Sequence, residues 1–104
     1  MTYQKAKGTL DTTLTTILTV TSAKRTVYFS GWFCNQGAAA SRLVNFEVDG
    51  VYMLFGDATN NAIKTGETQF FSGHIHVVSG ALFKAKQTVG TDVHYYISAY
   101  EAPN

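Results

Sequence analysis

Residues 25–50, RTVYFSGWFCNQGAAASRLVNFEVDG, read as two strands joined by the small-residue loop QGAAAS, and that reading decides the fold. Side chains alternate between the two faces of a strand. Val27, Phe29, Gly31 and Phe33 therefore share one face of the first strand, and Tyr28, Ser30, Trp32 and Cys34 share the other. Both faces carry bulk, so both need cover, from a second sheet or from a neighbouring chain. In the second strand Val44, Phe46 and Val48 alternate with Leu43, Asn45, Glu47 and Asp49, a pattern of one buried and one wetted face. The two strands are expected to pair as the floor of a β-sandwich.

Downstream, Asp49-Gly50 marks a two-residue hairpin, because both central positions of a type I′ turn need positive φ. It leads into VYMLFG, where Val51, Met53 and Phe55 oppose Tyr52 and Leu54. Asp57–Gly66 is a polar loop around Ile63, and Glu67–Ser72 is a short strand closed by Gly73. In HIHVVSGALFKAK, Ile75 and Val77 share a face, Ser79-Gly80 turns the chain, and Leu82, Lys84 and Lys86 alternate with Ala81, Phe83 and Ala85. After the polar break QTVGT, the last strand points Val93, Tyr95, Ile97 and Ala99 one way and His94, Tyr96, Ser98 and Tyr100 the other. Upstream, Leu10–Thr21 is a threonine-rich strand followed by a tight turn at Ser22–Lys24. β-branched residues favour that assignment over a helix. Residues 1–9 read as an extended N-terminal arm preceding a sandwich domain of residues 10–104. Strands separated by turn signals every 8–12 residues or so indicate an all-β, single-domain, two-sheet antiparallel sandwich, jelly-roll-like, of about eight strands.

A chain of 104 residues with 14% charged side chains and a net charge of +1 generates no field that would favour nucleic acid or an anionic membrane. It contains no apolar run near the ~20 residues of a membrane span, and MTYQKAKGTL lacks the apolar centre of a secretory signal. Synthesis in a cytoplasm is the expectation, with export only as part of a larger particle. The single cysteine, Cys34, rules out an internal disulfide and reads as a buried small hydrophobe.

The residues offer little chemistry. His74 and His76 lie on one strand face, a spacing that binds a transition metal only if further ligands converge, for example in a symmetric trimer with this strand at its axis. Ser30, His94 and Asp92 supply the types for a triad but no nucleophile elbow, and Glu47 and Asp49 share a face expected to be solvated. No phosphate loop, cofactor site or metal site is expected, and the chain is not expected to be an enzyme. The more telling row is His94, Tyr96, Ser98 and Tyr100. With Tyr28 and Trp32 it suits a subunit interface, where tyrosine and tryptophan are enriched.

The order of the pieces TILTVTSAKRTVYFSGWFCNQ, AAASRLVNFEVDG, HIHVVSGALFKAK and VHYYISAYE resembles the small β-sandwich structural proteins of tailed-bacteriophage virions, over about residues 13–101. The chain departs from that pattern at Thr21-Ser22, where proline is usual, and at Gly80-Ala81, where Gly-Asp is usual. The resemblance implies a virion structural role, as a capsid decoration (cement) protein or a tail component, commonly trimeric. On that basis Tyr28, Trp32, His94, Tyr96 and Tyr100 are expected between subunits of a homotrimer. Tyr3, Lys5, Lys7, Asn60 and Asn61 are expected against the major capsid protein, on the capsid surface. The alternative is a tail or fibre module that stacks Trp32, Tyr96 and Tyr100 on host carbohydrate.

Overall fold

A computed structural model describes residues 2–20, 25–37, 40–57, 62–77 and 80–103. Among these it contains nine strands: β1 (Thr2–Thr9), β2 (Thr15–Val20), β3 (Arg25–Asn35), β4 (Arg42–Val48), β5 (Val51–Phe55), β6 (Ala62–Ile63), β7 (Thr68–Val77), β8 (Ala81–Gln87) and β9 (Val93–Pro103). They form two antiparallel sheets, ordered β1-β9-β3-β7 and β2-β8-β4-β5, with the short β6 also paired to β4. Apart from the β4–β5–β6 segment, consecutive strands lie in opposite sheets. That alternation is the jelly-roll arrangement of two interleaved Greek keys.

The same alternation corrects the expected pairing of residues 25–35 with 42–48. β3 and β4 belong to different sheets, and the loop between them crosses the sandwich. The apolar rows of Val27, Phe29 and Phe33 and of Val44, Phe46 and Val48 face inward as expected, but a short run of small residues can close a hairpin or bridge two sheets equally well. Residues 38 and 39 of that loop lie outside the described residues, as do the Ser22–Lys24 turn and Ser79.

The core is centred on five phenylalanines drawn from both sheets. Phe29 and Phe33 of β3 and Phe71 of β7 meet Phe46 of β4 and Phe83 of β8, with Phe46–Phe71 ring centroids 4.5 Å apart and Phe29–Phe83 5.1 Å. Edge-to-face and tilted packing of this kind adds about 0.5–1.5 kcal/mol per pair beyond the area buried. Two glycines make room for the rings. Gly31 pairs with Phe71 and Gly73 with Phe29. A Cβ on Gly31 would fall 2.0 Å from the Tyr96 carbonyl oxygen and 2.8 Å from the Phe71 ring, and one on Gly73 would fall 3.0 Å from the Phe29 ring. Gly73 therefore does not close a strand as expected. β7 runs through it to Val77 because glycine is what the facing ring requires.

Other expectations shift for similarly local reasons. The strand expected over 10–21 begins only at Thr15, since the Asp11 side chain accepts the Thr12 backbone N–H at 2.7 Å and bends the chain there. A register shift between Thr16 and Leu18 then lets the adjacent Ile17 and Leu18 both be buried. Residues 2–9, expected as a separate arm, pair with β9 at eight positions from Thr2–Glu101 to Thr9–His94 and form an edge strand of the sheet. The Asp49-Gly50 turn has φ of 50° and 84°, as the hairpin reading requires. A shift between Phe46 and Glu47 then bulges β5 at Met53, so Phe55 joins Tyr52 on the outer side instead of opposing it.

Buried amides stitch the loops at one end of the sandwich. Asn35 Nδ2 donates to the carbonyls of Ala40 (3.1 Å) and Ile63 (3.0 Å), Asn45 Oδ1 accepts from Gly56 N (2.8 Å), and Gln87 Oε1 accepts from Asp92 N (3.2 Å). Asn45, expected on a wetted face, is buried for this purpose. Unpaired loop carbonyls and amides would otherwise cost about 1–3 kcal/mol each.

Candidate functional site: the outer face of the first sheet

Register fixes which outward side chains of β1, β9, β3 and β7 stand side by side. Across the sheet, Tyr3, Tyr100, Tyr28 and His74 form one row. Two residues further along the strands, Lys5, Ser98, Ser30 and Ser72 form a second row, and Lys7, Tyr96, Trp32 and Phe70 a third. Beyond it lie Thr9, His94, Cys34 and Thr68. Two aromatic walls, about 13 Å apart by strand rise, thus enclose a floor of three serines and a lysine.

Within each wall the rings support one another laterally. Centroids are 5.0 Å apart for Tyr3–Tyr100, 6.0 Å for Tyr28–Tyr100, 5.7 Å for Tyr28–His74 and 5.9 Å for the stacked pair Trp32–Tyr96. Tyr3 remains 75% exposed, Tyr28 49% and Phe70 70%. No described strand lies over the face, since all of them are used in the two sheets. A depression of about 540 Å³ lies between Tyr3, Tyr28, Tyr96 and Tyr100, and adjoins one of about 710 Å³ that continues over Ser72 and Phe70 to Met53 and Leu54 of β5.

The face is also one-sided in charge. The described strands present the charges of Lys5 and Lys7 to it, all three histidines as polar rings, and no carboxylate. The one carboxylate in these strands, Glu101, is buried on the inner side and accepts a hydrogen bond from Gln4.

Of the residues expected between subunits, Tyr28, Trp32, Tyr96 and Tyr100 come together in the two walls, and His94 stands one row beyond. Tyr3, Lys5 and Lys7, assigned from sequence to a different contact, lie on this same surface because β1 is part of the sheet. Asn60 and Asn61 lie outside the described residues. Cys34, expected in the core, is half-buried on the outer face, while its neighbour Asn35 takes the buried position. Ser72 and Phe70 are not singled out by the sequence, which marks Ser30 only as a triad type and Ser98 only as a member of the β9 row. Their spacing within each strand is unremarkable, and only register aligns them.

The candidate chemistries do not assemble. His94 pairs with Cys34, four positions along β3 from Ser30 and so about 13 Å away. Asp92 Oδ2 accepts from Arg42 Nε at 2.8 Å. His74 lies against Tyr28, and His76 Nδ1 is 2.9 Å from Thr26 Oγ1. Among the described residues no group of three or more His, Cys, Asp or Glu side chains could hold a metal ion. What the face can do is bind by stacking, hydrogen bonding and positive charge.

Compared with protein-family models and with curated proteins, the chain matches none. Fold and site together define a jelly-roll sandwich with one aromatic, acid-free outer face.

Proposed function

We propose that the chain is a structural protein of a tailed-bacteriophage virion. In this reading it is a capsid decoration (cement) protein, made in the host cytoplasm, that assembles as a homotrimer and bridges neighbouring major capsid proteins on the capsid surface. The observation that carries the reading is the pair of aromatic walls exposed on an otherwise complete sandwich: Tyr3, Tyr28 and Phe70 remain open although the core is already closed beneath them. Exposed apolar area of this extent marks an interaction surface. The whole-chain resemblance described above supports the virion assignment, and jelly rolls recur among viral capsid and lectin domains, which is support by analogy of fold only. Each subunit of a trimer can grip the shell weakly, because tethering makes the second and third contacts intramolecular.

The test is the mass in solution. The wild-type chain should run at three times its 11.4 kDa, and Tyr28→Ser/Tyr100→Ser should fall to one, with an unchanged far-ultraviolet spectrum. A wild-type monomer at high micromolar concentration would overturn the reading. The serine floor between the walls favours a second one, a tail module binding host carbohydrate, in which sugar rings stack on Trp32, Tyr96 and Tyr100 and bond to Ser30 and Ser98. A monomer that binds a glycan array and loses that binding on Tyr100→Ala would establish it.

A further inference from the structure

The four edges of the sandwich are not finished alike. A strand at a sheet edge leaves a row of backbone N–H and C=O groups unpaired, and it invites another strand unless charge, proline, shortness or a bulge discourages one. β1 carries the exposed Lys5 and Lys7. β2 and β5 are short, and each pairing is interrupted by a register shift, at Thr16/Leu18 and at Phe46/Glu47. β7 has none of these devices. Its ten residues, TQFFSGHIHV, include no Lys, Arg, Asp, Glu or Pro. They pair with β3 without a shift from Cys34–Thr68 to Arg25–Val77, and no described strand pairs with the other side. A hollow of about 430 Å³ lies between residues 73–75 and residues 51–53, so the edges of the two sheets stand apart there.

The strand is also its own complement. Two copies of β7 running antiparallel about a two-fold axis at Gly73 pair residues 69–77 of one with residues 77–69 of the other. On the outer face Phe70, 70% exposed in the single chain, then gains the ring of His76 of the second copy beside it. Ser72 meets His74 of the second copy, whose imidazole can bond its hydroxyl. On the inner side Phe71 stands opposite Ile75, and at the axis glycine meets glycine, where no side chain obstructs the approach. Slipping the pairing by one residue would set the outer row of one copy against the inner row of the other. Moving the axis to Ser72 or His74 would part Phe71 from Ile75. An axis through β7 brings no charged side chain of the strand against its own copy.

We infer that the occupant of the β7 edge is the β7 edge of a second copy of this chain, which joins two β1-β9-β3-β7 sheets into one continuous sheet. This contact is separate from the face contact proposed above and does not rest on it; between trimers on a shell it ties one trimer to the next. Backbone hydrogen bonds supply most of it and few apolar side chains take part, so it lies at the weak end of specific interfaces. It forms where copies are crowded, as they are when tethered to a common surface.

Sedimentation equilibrium from micromolar to millimolar concentration tests this in the Tyr28→Ser/Tyr100→Ser chain, so that trimerisation is read separately in the wild type. The chain should pass from monomer to dimer as its concentration rises. In step with that, the amides of residues 69–77 that point away from β3 should gain protection from hydrogen exchange. Adding Ser72→Lys, a change that edge strands tolerate, sets two lysines near the axis and should hold the chain monomeric throughout, with an unchanged far-ultraviolet spectrum. Should that variant not fold, the exchange protection of unaltered β7 decides the question alone. A chain that stays monomeric into the millimolar range overturns the inference, as does a dimer whose β7 amides remain unprotected. Absence of a trimer in the wild type overturns the capsid reading and leaves the edge contact standing.

Discussion

The two faces of the β1-β9-β3-β7 sheet are made from alternate residues of the same strands, yet they are finished differently. Inward, Val27, Phe29, Phe33, Phe71, Ile97 and Ala99 have no polar side-chain atom and are buried. Outward, Tyr3, Tyr28, Trp32, Tyr96 and Tyr100 are just as bulky, but each carries a hydroxyl or an indole N–H. An aromatic ring with a polar tip can be solvated when uncovered and buried when covered. The difference separates rings that complete the fold from rings that wait for a second surface, and it predicts that the two sets respond to mutation in different currencies, stability inside and assembly outside.

The largest effect should come from inside. Phe46 has no exposed surface and touches Phe33, Phe71 and Phe83 from the facing sheet and its own. Phe46→Ala should destabilise the chain by about 3–5 kcal/mol, seen as a lower denaturant midpoint at unchanged slope. An equal loss from Tyr28→Ala in a monomeric background would erase the distinction between the faces. Next in size is Gly31→Ala. Its Cβ would meet backbone at the Tyr96 carbonyl, which cannot swing aside, so overpacking should cost about 1–3 kcal/mol. Gly73→Ala meets only the far end of the Phe29 ring and should cost less. Reversal of that order would mean that the strands yield more easily than the rings.

The same contrast explains how far the sequence could be read. Alternation in β3, β4, β8 and β9 depends on each strand alone, and in β3 and β9 the buried apolar side chains Val27, Phe29, Phe33, Val93, Ile97 and Ala99 all come from the rows read as inward. The Asp49-Gly50 turn is likewise local, set by two backbone angles. What could not be read depends on partners distant in sequence. The small-residue loop after Asn35 does not reveal that β3 and β4 part into different sheets. Gly73 resembles a terminator until Phe29 is known to face it. Tyr3 resembles part of a loose arm until it is placed next to Tyr100. For the candidate site, the aromatic members were legible as outward bulk, whereas the serine floor and the continuity with β5 follow from register and from the bulge at Met53.

The smallest expected effect sharpens the comparison most. Trp32 and Tyr96 stack with centroids 5.9 Å apart and planes 18° from parallel, and both are half-buried by their neighbours alone. If lateral support within the wall holds these rings in place before assembly, a double-mutant cycle on Trp32→Ala and Tyr96→Ala should show coupling near the lower end of the usual aromatic range of about 0.5–1.5 kcal/mol. The cycle belongs in the Tyr28→Ser/Tyr100→Ser background, which the proposed function expects to be monomeric and which leaves the Trp32–Tyr96 pair in place. Coupling that is absent there but present in the wild-type chain would mean that the stack forms only under a partner, so the wall would not be preorganised. Ordering these two aromatic side chains would then be charged against each contact, at about 0.5–1.5 kcal/mol per immobilised side chain. A coupling retained in the monomer means that this cost is met during folding, and that the outer face, like the inner one, is already set in the single chain.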